Sequence, residues 1–170
     1  MCGIAGFYNY RNTAPVDRDV LLRMRDVVPH RGPDGAGAWF SDEGRVALGH
    51  RRLSIVDLSE TANQPMLDGK DLVVTFNGEI YNHRQLRATL TSSGYNFHTD
   101  HSDTEVLLHG YREWGLEGLL KRLEGDFAFA IWDSRKRRLS LARDRVGVKP
   151  LYFASAGGAF IFGSEIKSIL

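Results

Sequence analysis

The stretch Phe127-Ala128-Phe129-Ala130-Ile131-Trp132-Asp133, followed by Ser134-Arg135-Lys136-Arg137 and then Arg138-Leu139-Ser140-Leu141-Ala142-Arg143-Asp144, reads as a β-hairpin. Two runs of strand length flank a polar turn. A second hairpin follows at once, with Leu151 to Ala154 and Ala159 to Gly163 on either side of Ser155-Ala156-Gly157-Gly158. Working back toward the N-terminus, Ile4 to Tyr8, Val46 to Val56 and Leu72 to Tyr81 are apolar and read as strands. Helices fall between them. Asp17 is a candidate N-cap, and Val20, Leu21, Met24, Val27 and Val28 recur at helical spacing until Pro29. Asn82 with Gln85, and Ser102 with Glu105, have capping-box spacing and introduce two further helices. Leu86 and Leu90 share a face of the first, which ends near Gly94. Val106, Leu107, Gly110, Tyr111 and Trp114 face inward on the second, which Gly115 ends. A third short helix is predicted through Leu119, Leu120 and Leu123. Strands, then helices, then strands predict an α+β fold with antiparallel sheet.

Composition narrows the class. The chain has 170 residues, 22 basic and 21 acidic, for a net charge of +1, so it offers no electrostatic case for nucleic acid. Hydrophobic residues make up 42 % of it, which is globular and argues against disorder. Its longest apolar stretches, Phe127 to Trp132 and Ala159 to Phe162, are far too short to span a bilayer. Met1-Cys2-Gly3-Ile4-Ala5-Gly6 has neither a basic lead nor an apolar core, so no signal peptide is expected. The expectation is a cytoplasmic protein without a membrane partner. A single cysteine excludes an internal disulfide and a multi-cysteine zinc site. The length fits one domain. The run Glu165-Ile166-Lys167-Ser168-Ile169-Leu170 reads as the start of a helix with no stop signal, so the chain is expected to continue in a longer protein.

Several residues suit chemistry. If Met1 is removed, Cys2 carries a thiol and a free α-amine, whose reference pKa of about 7.7–8.0 makes it a base near neutral pH. Nucleophile and base then share one residue. A lone cysteine is more commonly a small buried hydrophobe. Asn77-Gly78 is a strong turn dipeptide by propensity. Alternatively, the Asn77 amide and the Gly78 N–H converge as an oxyanion hole. In His50-Arg51-Arg52, a guanidinium beside apolar strand residues can clamp a carboxylate, and Arg51 alone reads as an exposed strand arginine. Asp103 sits in a first helical turn, where it either caps the helix or holds a substrate ammonium. His98 and His101 lie beside Asp100 and Asp103, but the spacing matches no ligand pattern, so no metal site is expected. Arg135-Lys136-Arg137-Arg138 reads as a solvated turn.

Taken in order, the motifs resemble one family. They are Met1-Cys2-Gly3-Ile4-Ala5-Gly6, His30-Arg31-Gly32-Pro33-Asp34-Gly35, Arg52-Leu53-Ser54-Ile55-Val56-Asp57, Gln64-Pro65-Met66, Phe76-Asn77-Gly78-Glu79-Ile80-Tyr81-Asn82-His83, Ser102-Asp103-Thr104-Glu105, Gly125-Asp126-Phe127-Ala128-Phe129 and Ala142-Arg143-Asp144-Arg145-Val146-Gly147-Val148-Lys149-Pro150-Leu151-Tyr152. The chain is similar to class II glutamine amidotransferases, in particular to the glutaminase domain of glutamine-hydrolysing asparagine synthetases. Other class II members usually carry histidine before Asn-Gly; here Phe76 stands there, which favours the asparagine synthetase branch.

The resemblance implies an N-terminal-nucleophile hydrolase fold, an αββα four-layer sandwich with two antiparallel sheets, over residues 1–170 as one glutaminase domain. It implies Cys2 as nucleophile, with Asn77 and Gly78 stabilising the oxyanion. Arg52 would hold the α-carboxylate of L-glutamine, and Glu79 and Asp103 its α-ammonium. Leu53, Ser54, Ile55 and Val56 would line the pocket. No cofactor is implied for this chain. ATP and Mg are implied for a C-terminal synthetase domain whose Ser-Gly-Gly-x-Asp-Ser loop does not occur here. That domain and a homodimer of the parent protein are the implied partners. Two alternatives stay open: a parent that amidates an acceptor other than aspartate, and a glutamine-binding module without catalysis if Met1 is retained.

Overall fold

The computed structural model describes residues 1–11, 13–54, 59–69 and 71–170. Nine strands form two antiparallel sheets among these residues. The first sheet is built from β1 (Gly3–Asn9), β2 (Gly35–Phe40), β3 (Val46–Arg52), β8 (Tyr152–Ala156) and β9 (Ala159–Gly163), in the order β2-β3-β1-β9-β8. The second has the order β4-β5-β6-β7, from β4 (Met66–Leu67), β5 (Leu72–Ile80), β6 (Gly125–Asp133) and β7 (Arg138–Arg143).

Side-chain alternation explains why the sheets stack. Along β6, Ala128, Ala130 and Trp132 meet Ile4, Val46, Leu48 and Phe162 of the other sheet. The intervening Phe127, Phe129 and Ile131 face the opposite way, onto α2 (His83–Ser92) and α3 (Thr104–Leu120). Leu72, Val74, Phe76 and Ile80 of β5 join that outer cluster. On the far side of the first sheet, Leu21 of α1 (Arg18–Asp26) packs on Ala47 and Phe7. The layers are therefore helix, sheet, sheet, helix, the αββα sandwich expected from the resemblance.

Both hairpins read from sequence are present. β6 pairs with β7 from Ala128↔Arg143 to Asp133↔Arg138. β8 pairs with β9 up to Ala156↔Ala159, so the turn is Gly157-Gly158 alone, both at positive φ (59° and 83°), the conformation a two-residue hairpin turn needs. Asp17 caps α1 as predicted, accepting from the Asp19 N–H at 2.8 Å.

Elsewhere local signals were overridden. The strand expected from Val46 to Val56 ends at Arg52. Gly115 leaves helical geometry as predicted (φ 67°, ψ 179°), but the third helix continues directly from it inside α3. Asn82 makes no capping bond; its amide instead bridges to Arg122 O and Glu124 N, fastening α2 to the α3–β6 connection. Glu105 is no capping-box partner either. Its carboxylate turns back to accept from the His98 and Thr99 N–H groups and the Thr99 hydroxyl. At the C-terminal end only a 3-10 turn, Ile166–Ser168, forms where a helix start was expected.

Candidate active site

One end of the sandwich collects the chemistry. Strand parity decides which side chains reach it. In β3, Val46 and Leu48 point between the sheets and Ala47 points out to α1, so Arg52 shares the inner face and Arg51 the outer one. Arg51 accordingly reaches Gly32 O and Asp26 on the outside. Arg52 donates to Asn63 Oδ1 at 2.6 Å and to Ser59 O at 3.0 Å, and lines the pocket. In β5, Val73 packs between the sheets and Thr75 donates to Gly49 O of β3, which puts Asn77 on the same inner face. Cys2 has the parity of Ile4, so its thiol also enters between the sheets.

Cys2, Arg52 and Asn77 line a pocket with a volume of about 130 Å³, together with Leu53, Ser54, Gln64, Glu79, Asp103 and Lys149. The Cys2 thiol lies between the Leu53 N–H (3.4 Å) and the Leu53 carbonyl (3.6 Å). Arg31, itself buried, donates from Nε to the Cys2 carbonyl at 2.9 Å and anchors the Cys2 backbone. Burial pushes the thiol's pKa up; the Leu53 hydrogen bond, the chain's terminal ammonium and Arg52 pull the other way without reversing it. The thiol therefore keeps its proton at neutral pH and needs a base to lose it. Met1 precedes it at the pocket mouth, with Sδ 3.8 Å from Lys149 Nζ.

Asn77-Gly78 is not a turn. Both residues lie inside β5 and pair with Ala128 and Phe127 of β6. Nine consecutive pairs along β5 outweigh the turn propensity of the dipeptide. Glycine is required at 78 because a Cβ there would stand 2.3 Å from Asp126 O and 2.8 Å from Phe127 Cα. Asn77 is 1 % exposed, and its Nδ2 has no hydrogen-bond partner among the described residues, a buried donor held facing the pocket.

Backbone alternation aims a second donor. The Phe76 and Ile80 N–H groups leave the edge of β5 away from β6, to Gln64 Oε1 (2.6 Å) and Asp103 Oδ2 (3.0 Å). The Gly78 N–H lies between them on that edge. β4, only two residues long, stops short of it.

Asp103 is buried and carries a raised pKa because of that burial, with the Ile80 N–H opposing it. Glu79 is exposed at the pocket rim. Of the remaining expected lining residues, Leu53 and Ser54 are in place, while Ile55 and Val56 lie outside the described residues. Ser54 N–H donates to Asp34 Oδ2 at 2.8 Å, and Asp34 N–H to Arg52 O at 3.0 Å, which ties the Arg52–Ser54 wall to the Pro33-Asp34-Gly35 turn.

Gln64, Ser102, Thr104 and Lys149 line the pocket without having been assigned a role from sequence. Lys149 had a local signal: Asp144 accepts from the Phe127, Val148 and Lys149 N–H groups and pins the 144–149 loop at the pocket mouth. Gln64 stands in the Gln64-Pro65-Met66 motif, but no role could be read for it there, because its partners come from β5 and α3.

The geometry offers a thiol, a fixed pair of amide donors, a guanidinium and a buried carboxylate around one small cavity. That set can cleave an amide of an amino-acid side chain. Comparison with known proteins agrees. A sequence model described as "Glutamine amidotransferase domain" matches residues 1–170. Asparagine synthetase [glutamine-hydrolyzing] 3 of Bacillus subtilis (strain 168) is 43 % identical over 173 residues, covering 100 % of this chain and 27 % of that protein. Asparagine synthetase [glutamine-hydrolyzing] 1 of the same organism is 44 % identical, with the same coverage. Amidase chry2 of Gibberella zeae is 38 % identical over 180 residues, covering 100 % of this chain and 26 % of that protein. The chain thus spans about a quarter of the length of these curated relatives. Among solved structures, glutamine phosphoribosylpyrophosphate amidotransferase from B. subtilis superposes with a TM-score of 0.81 at 25 % identity, over 99 % of this chain and 43 % of that one. The sandwich is the N-terminal-nucleophile fold of the amidotransferases. With that fold, and with a family match running from Met1 to Leu170, this chain belongs to the glutamine amidotransferase domain family.

Proposed function

We propose that the chain is a glutaminase domain that hydrolyses L-glutamine to glutamate and ammonia through Cys2. What supports the reading above all is one juxtaposition: the Cys2 thiol, the unpartnered Asn77 amide, the Gly78 edge of β5 and the Arg52 side chain line the same pocket. After loss of Met1, the Cys2 α-amine takes the thiol proton, through a water. Sγ attacks the side-chain amide carbon, and the negative charge on oxygen is met by Asn77 Nδ2 and the Gly78 N–H. The C–N bond breaks, and nitrogen leaves as ammonia with a proton returned by the amine. A γ-glutamyl thioester remains, and water hydrolyses it to glutamate and the free thiol. Arg52 holds the α-carboxylate, while Asp103 and Glu79 hold the α-ammonium, and Leu53 and Ser54 wall the pocket.

In a protein of its relatives' length, residues 1–170 would form one domain in a cytoplasmic enzyme. The remaining length would hold a C-terminal synthetase site using ATP and Mg to activate aspartate, fed with ammonia from this pocket, in a homodimer. No step of glutamine hydrolysis uses those groups. A second reading, amidation of an acceptor other than aspartate, is kept because one relative, 38 % identical, carries a name other than asparagine synthetase.

Intact mass and glutamine turnover, measured on one preparation of the full-length protein, test the proposal. The expected result is a mass lacking Met1, glutamate released from glutamine, and no release from Cys2→Ala. A native protein that retains Met1 and still binds glutamine without hydrolysing it would establish the non-catalytic alternative.

A further inference from the structure

Gln64 belongs to no described helix or strand and precedes the two residues of β4. Its side-chain amide is used at both ends. Oε1 accepts the Phe76 N–H of β5 at 2.6 Å, and Nε2 donates to Thr104 Oγ1, at the first residue of α3, at 3.2 Å. One planar group therefore spans the two elements that carry opposite ends of the site. β5 presents Asn77 and Gly78, one and two residues beyond Phe76. α3 begins directly after Asp103.

The bond to Phe76 matters because of what flanks Gly78. Three alternate N–H groups leave the same edge of β5, at Phe76, Gly78 and Ile80. β4 would have paired with them had it started earlier, but it begins only at Met66, paired with Val74. Side chains replace the missing strand. Gln64 takes the first N–H and Asp103 takes the third, which leaves the Gly78 N–H between two fixed points. The two caps are joined, since Gln64 holds Thr104 next to Asp103.

We infer that Gln64 is a positioning residue for the glutaminase reaction: its amide stands in for a strand, fixing the oxyanion donors of β5 and the Asp103 end of α3 in one frame. The inference rests on the proposed glutaminase reading and extends it to a residue that need not touch the reacting atoms. The two bonds separate by chemistry. Acceptance from Phe76 sets the donors that act on the transition state and so bears on kcat. Donation to Thr104 sets the carboxylate that grips the substrate in both ground and transition state, and so bears on KM.

The test uses Gln64→Leu, Gln64→Glu and Thr104→Val in the full-length protein, with glutamate release giving kcat and KM. Gln64→Leu loses both bonds, and its kcat/KM falls about 10- to 100-fold, the scale of a misplacement near 1 Å. Gln64→Glu keeps the acceptor for the Phe76 N–H and offers a second carboxylate oxygen to which the Thr104 hydroxyl can turn and donate, so kcat and KM both recover to within about threefold of wild type. Thr104→Val raises KM with kcat nearly unchanged. Amide hydrogen exchange at Phe76 should quicken in Gln64→Leu and not in Gln64→Glu. If the wild type is active and Gln64→Leu matches it, the positioning role is wrong and the glutaminase reading stands. Equal losses in the Leu and Glu variants, tracking a fall in melting temperature, reduce Gln64 to a scaffold contact and overturn the inference. An inactive wild type with Met1 removed overturns the glutaminase reading and this role with it.

Discussion

Asn77→Ala separates catalysis from folding at a single position. The Asn77 side chain is 1 % exposed, and its Nδ2 has no partner among the described residues, so truncation orphans no described partner of that nitrogen. The strand around it is held by backbone pairing with Ala128 and its neighbours, which alanine preserves. The folding cost is then the lost volume, offset by relief of a buried unpaired donor, on the order of 1 kcal/mol or less. In a domain of this size that moves the melting temperature by roughly 2–4 °C. The transition state fares differently. Loss of one oxyanion donor costs about 2.7–4 kcal/mol, or a factor of about 10²–10³ in kcat. Glutamate release at saturating glutamine gives kcat, and thermal unfolding of the same samples gives stability. Asn77→Asp should be worse than alanine, because a carboxylate there faces developing negative charge. A kcat for Asn77→Ala within about threefold of wild type would refute the assignment of this amide to the oxyanion.

Arg52→Ala is expected to raise KM for glutamine about 10- to 100-fold with a smaller change in kcat, the weight of a charge-assisted hydrogen bond lost in ground and transition state alike. Arg51→Ala, on the outer face of the same strand, should leave both constants near wild type, and the two kinetic profiles check this directly. Gly78→Ala should abolish turnover and lower the melting temperature together, since its Cβ meets the backbone of β6 at 2.3 Å. Acid stability should fall in two stages. Burial holds His50 at about 4, against its ordinary 6.5, with its bond to Phe76 O opposing and Arg52 adding to the shift. The unfolded chain therefore takes up the proton first, and stability drops by roughly 3 kcal/mol as pH falls from 6.5 to about 4. Glu105 is raised by burial but pulled down further by His109, Thr99 and His98, to about 2 from 4.5. Its contacts stabilise fully above pH 4.5 and are lost as pH falls toward about 2. Urea unfolding across pH should show the upper stage flattened in His50→Gln, and an unchanged slope there would exclude His50 as its source.

The parts of the fold written locally were legible, and those written by long-range pairing were not. The two hairpins need only their own residues and a turn, so Phe127 to Asp144 and Leu151 to Gly163 announced themselves. β2 did not, because Gly35-Ala36-Gly37-Ala38 has little strand propensity and becomes a strand only by pairing with β3 from Gly35↔Arg52 to Phe40↔Ala47. Glycine at 37 fits since a Cβ would stand 1.9 Å from Gln64 O, a contact no local window contains. Asn77-Gly78 misleads for the reverse reason: its local signal is strong, and the ladder with β6 overrides it.

The same distinction divides the site. Cys2, Asn77 and Asp103 stand in motifs that can be singled out one at a time; Arg52 is marked over Arg51 by the resemblance, since it directly precedes Leu53-Ser54-Ile55-Val56, and its place on the inner face of β3 shows only in the folded strand. Arg31 on the Cys2 carbonyl and Gln64 between Phe76 and Thr104 act across sequence separations of 29, 12 and 40. No periodicity encodes such contacts, because they exist only once two sheets are stacked and β4 has stopped short. The groups proposed for the chemistry can thus be singled out in the sequence, while the contacts that hold them cannot. Variants of the holders are the sharper probe of whether this geometry, and not the motif alone, sets the rate.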